Sequence, residues 1–116
     1  MSRFPTVLAL ALLAAGPALA HAFLVRASPA AGSEHRTPPN AVTIVLSERI
    51  EKRFSGIEVR DAAGTRVAAA ELATDSPQTI AVGLPRLPPG TYAVSWHAAS
   101  VDTHKTRGSY AFTVLP

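Results

Sequence analysis

Residues 87–114 read "LPPGTYAVSWHAASVDTHKTRGSYAFTV", two alternating runs on either side of a short polar connection. In the first run Tyr92, Val94 and Trp96 recur at every second residue, and in the second Tyr110, Phe112 and Val114 do the same. A period of two puts such residues on one face of a strand, so the stretch predicts two strands that supply the aromatic part of a core. Pro89-Gly90 is a turn signal at the head of the first.

Working outward, the rest of the chain repeats this grammar in shorter units. "HAFLVRAS" (21–28), "VTIVLSE" (42–48), "SGIEVRD" (55–61), "RVAAAEL" (66–72) and "QTIAVGL" (78–84) are β-favouring stretches separated by Pro, Gly, Asn, Asp and Ser. The "VTIVLSE" run is apolar on both parities, as a strand covered on most sides requires. "SGIEVRD" alternates Ile57 and Val59 with Glu58 and Arg60, so it reads as half-exposed, with "DAAGT" as its turn. "PAAGSEHRTPPNA" (29–41) reads as a loop. No amphipathic helix, repeat or heptad is present. Short strands at close intervals predict an all-β sandwich of about seven strands. The "LPPGTY" segment matches the corner of immunoglobulin-like sandwiches, where a tyrosine after a turn hydrogen-bonds back to the backbone.

Ahead of these strands, Ser2, Arg3 and the apolar "TVLALALLAAGPALA" (6–20) read as a secretory signal cut after Ala20, which leaves residues 21–116 as one domain. The apolar run is shorter than the roughly 20 residues of a spanning helix. Of the 11 Lys and Arg, Arg3 leaves with the signal, so ten face 8 Asp and Glu, a near balance that argues against a nucleic-acid partner. The chain has no cysteine although its route leads to an oxidising compartment. That excludes zinc fingers, iron-sulfur clusters and blue-copper thiolate sites, and leaves nitrogen and oxygen donors for any metal.

Cleavage after Ala20 would give His21 a free α-amine, which with its Nδ1 closes a six-membered chelate ring. The amine has an ordinary pKa of about 8, so metal affinity should rise with pH. In "SVDTHKTRG" (100–108), Asp102 and His104 are two residues apart; in extended backbone they would share a face about 6.5–7 Å apart at Cα. Amine, two imidazoles and a carboxylate suit tetragonal Cu(II), and Zn(II) accepts the same donors tetrahedrally. His97 and His35 read as bystanders, one on the face opposite Trp96 and one in a loop. Lys105 and Arg107 flank the motif, free to pair with Glu48 or Asp102 or to stay solvated.

With "HAFLVRASPAAGS" (21–33), "VTIVLSERIEKRFSGIEV" (42–59) and the W-x-x-x-S-x-D-x-H pattern of 96–104, the chain resembles the CopC family of periplasmic copper-resistance proteins. The resemblance implies a cupredoxin-like Greek-key sandwich that binds Cu(II) through His21, Asp102 and His104. Glu48 in "LSERI" matches a family glutamate that lies near the copper or ligates it in some members, although Arg49 replaces a residue that is usually uncharged. Some members carry a methionine-rich Cu(I) site; the one methionine here is Met1, so the chain resembles the Cu(II)-only members. The expected function is a soluble, monomeric periplasmic Cu(II) carrier or buffer, not an enzyme, that sequesters copper or passes it to a CopD-like inner-membrane protein. Two other classes fit parts of the pattern. A lytic polysaccharide monooxygenase-like copper enzyme also uses an amino-terminal His chelate with a second His, but Asp102 would fill the position its chemistry needs open. A metal-free sandwich would make His21 and His104 dispensable.

Overall fold

The computed structural model describes residues 22–116, which form two stacked four-stranded sheets. The first contains β1 (Leu24–Ser28), β3 (Ala41–Leu46), β5 (Ala70–Leu72) and β6 (Thr79–Gly83) in the order β1-β3-β6-β5. The second contains β2 (Glu34–His35), β4 (Gly56–Arg60), β7 (Gly90–Ala99) and β8 (Lys105–Val114) in the order β2-β8-β7-β4. All neighbours are antiparallel except β2 and β8. Among the described residues no helix is long and apolar enough to cross a membrane.

The alternation that predicted the strands is the alternation that builds the core. Along β7, Tyr92, Val94 and Trp96 are buried while Thr91, Ala93, Ser95 and His97 are exposed. They meet Val42, Ile44 and Leu46 of β3, Val59 of β4 and Phe112 and Val114 of β8 in one cluster. Fully burying each such side chain is worth about 1.5–3 kcal/mol, and without disulfides this packing carries the fold. Tyr92 stacks on Phe112 at 5.5 Å between centroids, and its hydroxyl donates to the Pro88 carbonyl at 2.6 Å. The expected tyrosine corner is therefore present. In "DAAGT", Asp61 Oδ1 accepts from the Ala63 and Thr65 amides, and Gly64 takes φ +85°.

Four details differ from the sequence expectation. An eighth strand, β2, lies in the segment read as a loop, because Glu34 and His35 pair in parallel with Thr113 and Val114. His35 is thereby half-buried, edge-on to Phe112 and bonded to Ser33 Oγ at 2.7 Å. The "RVAAAEL" stretch gives only three exposed strand residues at a sheet edge. Lys105 and Arg107 belong to β8 rather than to a loop, with Arg107 across from His97, and among the described residues neither pairs with Glu48 or Asp102.

Candidate metal centre

The β7–β8 hairpin is in continuous register from Gly90 opposite Val114 to Ala99 opposite Lys105. Its tip is the turn Ser100–His104, closed by Ser100 N–H to the His104 carbonyl at 2.8 Å and Thr103 N–H to the Ser100 carbonyl at 2.9 Å. Thr103 takes φ +75°, a left-handed conformation that a β-branched residue adopts at a cost of about 1–3 kcal/mol.

This turn, and not an extended strand, brings Asp102 and His104 together. Asp102 Oδ1 lies 3.2 Å from His104 Nδ1 and 3.4 Å from the His104 amide nitrogen, and it accepts a short hydrogen bond from Ser100 Oγ. First the Ser100 hydroxyl, then His104, holds the carboxyl below the usual carboxylate range. Two donors each about 2.0 Å from one ion stand about 2.8 Å apart at a right angle and about 3.3 Å apart at the tetrahedral angle. At 3.2 Å the two atoms are within hydrogen-bond reach when Nδ1 carries the proton, and when it is bare their spacing lies nearer the tetrahedral value than the right-angle one. Both side chains are about half exposed, 48% for His104 and 50% for Asp102, so an ion can reach them from solvent.

A second segment, residues 47–51, ties this turn to the start of the described chain. Ser47 N–H donates to the Phe23 carbonyl at 2.8 Å, and the Phe23 amide donates to Ser47 Oγ at 2.7 Å. Two residues on, the Arg49 carbonyl accepts from Val101 N–H at 3.2 Å, Ile50 bridges Ser100, and Glu51 N–H reaches the Ala99 carbonyl at 2.8 Å. Phe23 and Val101 are thus bonded to positions 47 and 49 of one segment. Ala22 is fixed there too, since it is 2% exposed in the core cluster.

Of the four sequence-predicted donors, the structure brings Asp102 and His104 together. His21 and the expected signal of residues 1–20 lie outside the described residues. Glu48 is exposed on the stitching segment, and among the described residues no three His, Asp or Glu side chains form a group that could hold an ion. His97 is exposed on the outer face of β7, its ring over Gly56. Sequence alone assigns no role to Ser47 or Ser100; the available signal was a serine one or two positions before an acid, Ser47-Glu48 and Ser100-x-Asp102, which also occurs in ordinary turns.

The CopC domain family model matches residues 24–115. Protein YobA of Escherichia coli strain K12 is 39% identical over 98 residues, spanning 82% of this chain and 79% of that protein. Among solved structures, CopC from Methylosinus trichosporium OB3b superposes with a TM-score of 0.78 at 33% identity, covering 83% of this chain and 95% of that one. PcoC, described as a methionine-rich copper resistance protein from Escherichia coli, gives a TM-score of 0.74 at 32% identity, covering 81% and 98%.

Proposed function

The chain belongs to the CopC family, and from that membership we propose that it binds copper as Cu(II) through the α-amine and imidazole of His21, the carboxylate of Asp102 and the imidazole of His104. It works outside the cytoplasm, where the signal of residues 1–20 would send it, as a carrier or buffer in copper resistance. The observation that carries the reading is the Asp102–His104 pair, 3.2 Å apart on a strained turn that is stitched through residues 47–51 to Phe23. His21 precedes Ala22 directly in the chain.

The donor set suits the ion. Imidazole, amine and carboxylate are borderline to hard donors, which Cu(II) takes in tetragonal geometry, and their affinity order places Cu(II) above the other divalent metals. Ionisation of Asp102 at neutral pH removes one competing proton. PcoC is described as methionine-rich, whereas the one methionine of this chain is Met1. Residues 22–116 therefore offer no thioether for Cu(I).

Carriage is favoured over turnover because a carboxylate beside His104 takes a coordination position that oxygen chemistry would need open. Half-exposed ligands also allow the ion to be handed on, and a CopD-like membrane protein is the proposed recipient. Glu48 enters as an outlying carboxylate on the stitching segment.

The test is a competitive Cu(II) titration followed by Trp96 fluorescence. It uses protein exported and processed from the full sequence, with its amino terminus read by mass spectrometry, beside a form with one glycine before His21. Tight binding by the native start alone supports the chelate. Equal binding by both forms removes His21 from the site, and binding by neither overturns the copper reading.

A further inference from the structure

We propose that Ser100 is the positioning residue of this site: its hydroxyl locks the Asp102 carboxylate in one orientation, so that a single oxygen, Oδ2, is left for the copper ion. This rests on the copper reading above and adds to it a residue that does not touch the metal.

Ser100 is the buried polar residue of the described chain, 2% exposed between the hairpin tip and the bridge to Ile50. Its place is fixed by backbone alone, through its own N–H to the His104 carbonyl at 2.8 Å. Among the described residues that carbonyl is the other hydrogen-bond partner of Oγ, at 3.2 Å, and it already holds the Ser100 amide. The turn thus closes without the hydroxyl. A serine has one proton to donate, and the shorter contact is to Asp102 Oδ1.

The consequence falls on the carboxylate. Ser100 Oγ, His104 N and His104 Nδ1 all converge on Oδ1, and among the described residues Oδ2 accepts no hydrogen bond. Asp102 is half exposed, and among the described residues these three contacts are the ones that hold its carboxylate. Without them the side chain would have to be ordered when the ion arrives, or would swing to offer both oxygens. A buried hydroxyl that pre-orders a ligand contributes affinity and geometry without touching the ion, and loss of such partners typically weakens metal binding about 10–100-fold.

The experiment measures Cu(II) affinity against a chromophoric chelator, with the Cu(II) electron paramagnetic resonance spectrum, for the parent, Ser100→Ala, Ser100→Thr, Asp102→Ala and the Ser100→Ala/Asp102→Ala double variant. All are exported from the full chain and checked for folding by circular dichroism. Ser100→Ala should bind about 10–100-fold more weakly with a shifted copper hyperfine splitting, and Ser100→Thr should recover most of both. In the Asp102→Ala background, Ser100→Ala should change neither, because a residue that acts through Asp102 has nothing left to act on. An unchanged affinity and spectrum in Ser100→Ala overturns the proposal. So does a loss that persists undiminished in the Asp102→Ala background, which would mark Ser100 as a general support of the turn. Absence of tight binding in the parent would instead overturn the copper reading, and this role with it.

Discussion

Replacing Gly108 with alanine should damage the sandwich even though the backbone there suits any residue. Gly108 lies opposite Trp96 in the β7–β8 hairpin, and its φ is not in the left-handed region. On backbone grounds alone the added methyl would stabilise by about 0.4–1 kcal/mol through the unfolded chain. Yet a Cβ built at Gly108 stands 2.7 Å from Trp96 Cζ2 and 2.8 Å from both Cε2 and Nε1. The indole is 7% exposed inside the core cluster, so it cannot swing out to solvent without emptying its place. Overpacking of this kind costs about 1–3 kcal/mol. With three ring atoms closer than 3 Å the cost falls in the upper part of that range, about 2–3 kcal/mol, so the net loss is about 1–2.6 kcal/mol, or a melting point lower by about 4–20 °C for a domain of this size. Thermal unfolding by circular dichroism reads the loss, and Trp96 emission reads the displaced ring. Gly56→Ala is the matched control, since the nearest atoms to its Cβ would be those of the exposed His97 ring, 3.0 Å away at Cε1, which can turn away. A Gly108→Ala protein as stable as its parent, or no worse than Gly56→Ala, would refute the argument that Trp96 is immovable.

Two further outcomes follow from single side chains. Tyr92→Phe keeps the stack on Phe112 but removes the 2.6 Å bond to the Pro88 carbonyl. It should cost about 1–2 kcal/mol, seen in chemical denaturation; an unchanged midpoint would mean that the corner bond contributes nothing. Burial pushes the Tyr110 phenol up to about 12, and among the described residues its buried hydroxyl has no hydrogen-bond partner. A value raised above the ordinary value of about 10 contributes stability that is present below pH 10 and is lost as pH rises through 12. Tyr110→Phe should therefore abolish much of the alkaline loss of stability, and a phenolate absorbance appearing near pH 10 in the folded parent would contradict this burial.

Local pattern carried much of the fold. Tyr92, Val94 and Trp96, with Phe112 and Val114, announce their common face by period two alone, because alternation is a property of neighbours on one strand. The tyrosine corner was legible for the same reason, since hydroxyl and acceptor are four residues apart. The two-residue β2 was not, because nothing in Glu34-His35 marks a strand until Thr113 and Val114 lie beside it.

For the site, the sequence by itself determined which donors exist: four histidines, no cysteine, and a D-x-H pair in the connection between two aromatic strands. Tertiary structure decided how they meet. Asp102 and His104 converge through a left-handed Thr103 and not through the extended geometry that their spacing suggests. The Phe23–Ser47 bonds span 24 residues and the Arg49–Val101 bond spans a longer loop still. Such contacts form only when burial of the shared core fixes the register between segments, a quantity set by how all the strands pack and not by any residue's immediate neighbours. The hydroxyl of Ser100 takes its meaning from the same packing, which buries it beneath the carboxylate it holds.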